Sequence, residues 1–190
     1  MNYEFTLSQI KTDPRYLVNL DWGEVRSGHP EGPIRAHIAE LEQNLERLRL
    51  KLTDEDCQKL LVLIHTHDTF KPNAKQGVSI TDPRSHASLA REFLAEFCLD
   101  EDLLAMVQFH DEPYALWRKF GTADKLDEAR LASFRAAISD WNLFLAFLII
   151  DGCTVGKSRA PLEWFCAKVA ERSIADKVQA NFTAADIISP

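Results

Sequence analysis

Apolar residues recur at helical spacing through most of the chain. Between residues 34 and 52 they fall three or four positions apart, at Ile34, Ile38, Leu41, Leu45, Leu48 and Leu52. This spacing places them on one face of an α-helix and leaves the polar residues on the other face. Strand-like alternation of apolar and polar residues is hard to find, and glycine (7) and proline (8) are scarce. The pattern therefore predicts an all-α fold.

Further helices are predicted along the rest of the chain. Thr53, with Asp56 three residues on, resembles a capping box that opens a helix through CQKLLVLIHTHD. Residues 71–84, KPNAKQGVSITDPR, are predicted to form a loop because two prolines and a glycine interrupt the pattern. The later helical segments are SHASLAREFLAEFCL, DEDLLAMVQFHDEPYALWRKF (helical on either side of Pro113), KLDEARLASFRAAISDWNLFLAFLIID as one long helix over 125–151, and a C-terminal helix over 161–182.

The chain is expected to form one domain. Its 190 residues suit a single domain with a sizeable core. Hydrophobic residues at 46% and charged residues at 27% are ordinary values for a globular protein. No internal repeat, low-complexity segment or linker divides the sequence, so we expect a single-domain helical bundle over residues 1–190.

The acidic charge balance narrows the expected partners. The formal net charge is -7 and the sequence pI is about 5.4. A general nucleic-acid binder or a protein of anionic membrane surfaces needs a basic face, so neither a nucleic-acid polymer nor a membrane is an expected partner. A small phosphorylated ligand in a locally basic pocket remains compatible with this charge.

Targeting signals and cysteine usage favour a cytoplasmic protein. The first residues lack the positive end and apolar stretch of a signal peptide. The longest apolar run, residues 143–150, is far shorter than the ~20 residues that a membrane helix requires. The four cysteines form no CxxC pair and are expected to be reduced thiols; they are Cys57, Cys98, Cys153 and Cys166.

The stretch LVLIHTHDTFK, residues 61–71, places chargeable groups directly after a run of aliphatic residues. His67 and Asp68 are adjacent, and Lys71 follows three residues later. His65 lies two residues before His67, so on a helix it faces largely away from it. We interpret His65 as a packing residue or an outer partner of the site.

Histidines and aspartates recur beside apolar neighbours on the other predicted helices. The full set is His37, His67, Asp68, His86, His110 and Asp151. Singly, each could be a hydrogen-bonded core residue or a turn residue. Together, they could be aimed at one point inside a bundle of packed helices, which is how bundle metal sites are built. Imidazole and carboxylate ligands suit Fe, Mn, Co, Ni or Zn better than Ca or Mg.

The order of these residues resembles that of the HD-domain superfamily, named for its adjacent His-Asp pair. The resemblance covers about residues 30–170 and implies a helical, metal-dependent domain that is usually a phosphohydrolase acting on nucleotides or other phosphate esters. It matches four residues to the ligands shared across the superfamily: His37, His67, Asp68 and Asp151. It matches His86 and His110 to the further histidines of two-metal members, in which the residue at the Asp68 position bridges the two ions. Asp68 is thereby implied to be both a ligand and a catalytic residue.

Three cationic residues are candidates for contacts with substrate. HDTFK matches the His-Asp-x-x-Lys form of two-metal HD proteins, which implies that Lys71 points at the substrate and acts in catalysis. Lys157 lies in DGCTVGKS, which is not a P-loop because Gly152 and Gly156 enclose three residues where that motif has four. Lys157 and Arg84 are candidate phosphate binders, with solvent exposure as the alternative for each.

Three functions are compatible with this set of residues. A metal-dependent phosphohydrolase with a small phosphorylated substrate is the first. An HD-type diiron oxygenase, which would cleave a C–C or C–P bond with O₂ through the same ligands, is the second. A non-catalytic binding or scaffold domain is the third, although the presence of all six implied ligands favours an enzyme. A homodimer is an open alternative to a monomer.

Overall fold

The computed structural model describes residues 1–123, 125–171 and 183–188. In these ranges the protein is all-α, as predicted, and its extended structure is limited to one isolated antiparallel bridge between Arg26 and His29. The helices are α1 (Tyr3–Thr12), α2 (Pro14–Asn19), α3 (Ile34–Leu48), α4 (Asp54–Thr66), α5 (His86–Ala95), α6 (Glu101–Phe109), α7 (Glu112–Ala123), α8 (Glu128–Ala137), α9 (Trp141–Gly152), α10 (Ala160–Glu171) and α11 (Ala185–Ile188). Residues 172–182 of the predicted C-terminal helix lie outside the described residues.

The described helices share one hydrophobic core. Its buried side chains come from elements between α1 and α11 and form a single cluster. The apolar face predicted for α3 is buried, since Ile34, Ile38, Leu41, Leu45 and Leu48 are all in the core. In α9 nearly every residue from Trp141 to Ile150 is buried, so this helix has core neighbours on all sides. This arrangement explains why residues 143–150 are apolar without interruption.

The predicted start of α4 is confirmed in its details. Thr53 Oγ1 accepts a hydrogen bond from the backbone N–H of Asp56 at 3.1 Å, and Asp56 Oδ2 accepts one from the backbone N–H of Thr53 at 3.2 Å. These two bonds satisfy N–H groups that have no partner inside the helix. The loop predicted over 71–84 is also confirmed, apart from a short 3₁₀ turn at Lys71–Asn73.

The prediction of one long helix over 125–151 is wrong. The chain bends by 110° between α8 and α9. Asp102 in α6 accepts hydrogen bonds from the backbone N–H groups of Ser139 at 2.7 Å and Asp140 at 2.8 Å. Asp140 in turn accepts one from the backbone N–H of Leu143 at 3.0 Å and so caps α9. The break is therefore stabilised by a side chain from another helix, which helical periodicity cannot reveal.

The helices before α3 were not identified by their sequence pattern. Asp13 ends α1 and caps α2 by accepting a hydrogen bond from the backbone N–H of Arg15, with Pro14 at the first helical position. Proline is favoured there because the N–H that it lacks would have no intrahelical partner. These short helices carry only three and two buried residues. Their apolar pattern is correspondingly weak.

Two further expectations can be compared with the structure. Among the described residues no single helix has the length and apolar character of a membrane span; α8 and α9 reach them only when they are taken together across their bend. All four cysteines are free thiols.

Candidate metal centre

The histidines and aspartates singled out from the sequence meet at one end of the helical bundle. His37 is in the first turn of α3, and His86 is the first residue of α5. His67 and His110 follow the last residues of α4 and α6, and Asp151 is in the last turn of α9. Antiparallel packing brings these helix starts and helix ends together, so residues far apart in sequence become neighbours.

Three of these residues form a group that we call the inner group: His37, His67 and Asp151. One ligand atom from each lies within 4.8 Å of the others, an arrangement that could hold a metal ion. His37 Nε2 is 3.0 Å from Asp151 Oδ1, and His67 Nε2 is 3.9 Å from the same oxygen. The side chains of His37 and His67 are almost fully buried.

A second set, the outer group, consists of Asp68, His86 and His110 and meets the same distance condition. His86 Nε2 and His110 Nε2 are 3.1 Å apart. They lie 3.8 and 3.4 Å from Asp68 Oδ1, respectively. The three donor atoms therefore converge on one point, as in the inner group.

Asp68 faces both groups through different oxygens. Its Oδ1 is the atom nearest to His86 and His110. Its Oδ2 lies 3.4 Å from His67 Nε2 and 3.8 Å from His37 Nε2. A carboxylate in this position could contact one ion in each group.

One imidazole ring in each group is oriented through its Nδ1. His67 Nδ1 lies 3.2 Å from the carbonyl oxygens of Leu63 and Ile64, and His110 Nδ1 lies 2.8 Å from the carbonyl oxygen of Val107. A carbonyl accepts only from N–H, so each Nδ1 carries a proton, and in the neutral ring the lone pair is on Nε2. Such lone pairs are the donors that a metal ion requires.

The chemistry of these donors fits a metal ion. His67 Nε2 and Asp68 Oδ1 are buried and have no hydrogen-bond partner in the part of the chain that the structure describes. Leaving a buried polar atom unpaired costs ~1–3 kcal/mol, so such atoms call for an explanation. Both atoms face the interior of the two groups, where a cation would satisfy them. Mixed imidazole and carboxylate donors favour Fe, Mn, Co, Ni or Zn.

Two lysines form ion pairs with the carboxylates of the site. Lys71 Nζ donates a hydrogen bond to Asp68 Oδ2, and Lys157 Nζ donates one to Asp151 Oδ1 at 2.7 Å. Both side chains are only about one-fifth exposed. The structure thus places two of the three cations named from sequence at the cluster. Arg84 lies apart from it: its exposed guanidinium donates hydrogen bonds to Asp82, and among the described residues it contacts none of the six.

These contacts keep the two aspartates charged. Burial by itself raises the pKa of Asp68, but the charges of Lys71 and His67 outweigh it and hold this pKa well below its usual range. Burial also raises the pKa of Asp151, but the charge of Lys157 and the hydrogen bond with His37 reverse the shift. Both carboxylates are therefore ionised at neutral pH and offer negative charge to a cation.

Two acidic residues near the groups were missed by the sequence reasoning. The Glu31 side chain is largely buried; its Oε1 lies 2.9 Å from His29 Nδ1 and 3.3 Å from His37 Nδ1. Burial by itself lowers the pKa of His37. The hydrogen bond with Asp151 and the contact with Glu31 outweigh this effect and raise the pKa of His37 to about 9. Asp111 Oδ2 lies 3.3 Å from His86 Nε2. Adjacency to His110 was a usable signal for Asp111, whereas nothing local marks Glu31.

His65 lies outside both groups, as interpreted from its position. Its Nδ1 is 2.6 Å from the hydroxyl oxygen of Tyr16, and its Nε2 is 3.0 Å from Glu42 Oε1. With both nitrogens engaged by other elements, this buried ring links α4 to α2 and α3.

Comparison of the chain with protein families, with curated proteins and with solved structures found no significant match.

Proposed function

We propose that this protein is a metal-dependent phosphohydrolase that acts on a small phosphate ester or nucleotide. The observation that carries the proposal is the position of Asp68, whose two carboxylate oxygens face two separate groups of His and Asp donors. A shared carboxylate between two ion sites is typical of two-metal hydrolytic centres. The order of the six donors along helices also resembles the HD-domain superfamily, in which phosphate ester hydrolysis is the usual activity.

Each donor has a role in this proposal. His37, His67 and Asp151 would hold one divalent transition-metal ion, His86 and His110 a second, and Asp68 both. Such a pair of ions lowers the pKa of a water molecule and stabilises negative charge on phosphoryl oxygens. The protein contributes helix ends that carry the donors, the imidazoles of His67 and His110 oriented through Nδ1, and ionised carboxylates.

Lys71 and Lys157 support an anionic substrate. Their ammonium groups lie at the carboxylates, and each side chain is about one-fifth exposed, so solvent reaches part of both lysines. A phosphate monoester carries up to two negative charges, which two ammonium groups would attract in a site of reduced polarity. Lys71 is the proposed catalytic lysine because it contacts the shared Asp68. Because the chain as a whole carries a net charge of -7, these two ammonium groups are specific to the site and not part of a generally basic surface. A cytoplasmic location is part of the proposal.

The test combines metal analysis with phosphate release. Protein purified without added metal is analysed for Mn, Fe, Co, Ni and Zn. Apoprotein reloaded with each metal is then assayed against p-nitrophenyl phosphate and a panel of nucleoside mono-, di- and triphosphates. Asp82→Asn serves as the matched control for Asp68→Asn, because both remove one carboxylate but Asp82 is bonded to Arg84 away from the cluster. We expect two ions per chain and phosphate release that only Asp68→Asn abolishes.

Two results would overturn the proposal. One is the absence of phosphate release from every ester with every metal. The other is a pair of irons with an O₂-sensitive mixed-valence signal and oxygen consumption, which would assign the same ligands to a diiron oxygenase.

A further inference from the structure

Asp111 occupies an unusual place for an aspartate that precedes a helix. It follows His110 and directly precedes α7, where its carbonyl oxygen accepts a hydrogen bond from the backbone N–H of Ala115 at 3.0 Å. Aspartate in such a position normally caps the helix by accepting hydrogen bonds from N–H groups of the first turn. Asp100, Asp127 and Asp140 do so at the starts of α6, α8 and α9.

The side chain of Asp111 makes no such cap among the described residues. Pro113, in the first turn of α7, has no N–H to donate. The Asp111 carboxylate instead faces the outer group: Oδ2 lies 3.3 Å from His86 Nε2 and 3.7 Å from His110 Nε2. These are the same two nitrogens that face Asp68 Oδ1. The carboxylate is thus directed at the donors of the outer group and not at the helix that follows it.

The distances from Asp111 and Asp68 to the two imidazole nitrogens are close to those between ligands of one ion. Four donors that lie ~2.1 Å from a common centre, at the corners of a tetrahedron, are about 3.4 Å from one another. The observed separations are 3.1 Å between the two imidazole nitrogens, 3.4 and 3.8 Å from them to Asp68 Oδ1, and 3.3 and 3.7 Å from them to Asp111 Oδ2. These five of the six separations scatter about the tetrahedral value; Asp111 is not in the group whose donor atoms all lie within 4.8 Å of one another, so its carboxylate would move toward Asp68 on binding a shared ion.

The charge and the number of donors in the outer group also favour Asp111 as a ligand. The inner group offers three side chains and Asp68 Oδ2, and its own carboxylate is Asp151. Without Asp111 the outer group offers two imidazoles and Asp68 Oδ1, with no carboxylate of its own. With Asp111 each group has two imidazoles, one carboxylate of its own and one oxygen of the shared Asp68. A divalent ion in the outer group would then meet the same donor set as an ion in the inner group.

We propose that Asp111 is the fourth protein ligand of the outer group, which would take a divalent transition metal such as Zn²⁺ or Co²⁺. This inference rests on the proposed two-ion centre. It adds a ligand that lies outside the six residues singled out from sequence. It also implies that an outer ion keeps fewer positions open to solvent and substrate than three protein ligands would leave.

The experiment measures the affinity of each ion separately. Apoprotein is titrated with Zn²⁺ in competition with a chromophoric chelator, and with Co²⁺ while its visible absorption is recorded. In Asp111→Asn and Asp111→Ala we expect the first equivalent to bind as in the wild type. The second should bind at least ~10-fold more weakly, because a ligand should contribute no less than the outer partners of ligands do. The Co²⁺ absorption of the second equivalent should change as well. Asp111 is 46% exposed, so both variants are expected to fold, which circular dichroism of the apoprotein checks.

Asp82→Asn is the matched control, since it removes the same charge from a partly exposed carboxylate that pairs with Arg84 and has no contact with the six described donors. It should bind both ions as the wild type does. Two ions bound with wild-type affinity by both Asp111 variants would overturn the Asp111 assignment and leave the two-ion centre intact. If the wild-type protein takes up only one ion, and His86→Ala binds that ion equally well, the two-ion centre is overturned. The Asp111 assignment then fails with it.

Discussion

The inner and outer groups share one carboxylate but differ in how firmly their donors are held. In the inner group the side chains of His37 and His67 are 5% and 1% exposed; His37 Nδ1 makes an ion-pair contact with Glu31 Oε1 at 3.3 Å, and His67 Nδ1 lies 3.2 Å from two backbone carbonyl oxygens. In the outer group His110 Nδ1 lies 2.8 Å from the carbonyl oxygen of Val107, but His86 is 21% exposed and its Nδ1 has neither a hydrogen-bond nor an ion-pair partner among the described residues. Outer partners orient a ligand before metal arrives and so reduce the cost of binding. We therefore expect the inner group to bind its ion more tightly than the outer group does.

The largest effect should come from the residue that the two groups share. Asp68→Asn removes the negative charge that faces both groups, and an amide cannot hold two divalent ions ~3.5–4 Å apart. We expect most bound metal and all turnover to be lost while the helical content is retained, measured by elemental analysis and circular dichroism. Full metal stoichiometry in this variant would contradict the bridging role of Asp68.

Replacing one histidine at a time should separate the groups. His37→Ala removes a buried donor of the inner group, and His86→Ala removes a half-buried donor of the outer group. Each variant should lose about one equivalent of metal, because each removes an imidazole that the other group does not use. Titration of the apoproteins measures this loss. If His86→Ala keeps two equivalents and His110→Ala does too, then the site holds its metal without the outer histidines.

Lys71 should affect turnover without affecting metal. Lys71→Met keeps the aliphatic length but removes the ammonium that contacts Asp68. Electrostatic groups that stabilise developing charge commonly contribute ~10²–10³ in turnover. We expect kcat/KM on a phosphorylated substrate to fall by about that factor, with metal content and thermal stability preserved. Arg84→Met is the comparison variant, because Arg84 is exposed and bonded to Asp82. An equal loss in both variants would speak against a specific role for Lys71.

Replacing Glu31 should have the smallest effect, and it tests whether an outer partner of His37 strengthens binding of the inner ion. Its carboxylate contacts His37 Nδ1, so Glu31→Ala should weaken the inner ion by about 10–100-fold, the usual contribution of an outer partner. Glu31→Gln retains an oxygen that can accept from Nδ1–H and should lose less. His29→Ala removes the other contact of Glu31 and serves as the control. Equal weakening of the binding of both ions would mean that Glu31 stabilises the segment between α2 and α3 and not His37 alone.

Local signals in the sequence were sufficient for much of the fold. The spacing of apolar residues determined the buried face of α3, and Thr53 with Asp56 determined the start of α4. Both depend on residues within a few positions of one another, so the sequence contains all the information they need. The break between α8 and α9 does not depend on neighbouring residues alone, because Asp102 from α6 stabilises it. The sequence therefore predicted one helix where the structure has two.

The candidate site, like the fold, was predicted only in part from the sequence. The adjacent His67 and Asp68, and the order of the other donors, were visible in the sequence and through its resemblance to HD-domain proteins. Only the tertiary structure decided that the two oxygens of Asp68 face different groups, that Lys157 reaches Asp151, and that Glu31 and Asp111 contact His37 and His86. Residue types and their order are properties of the chain, whereas distances of 3–4 Å between residues as far apart as His37 and Asp151 arise from the packing of the helices that carry them.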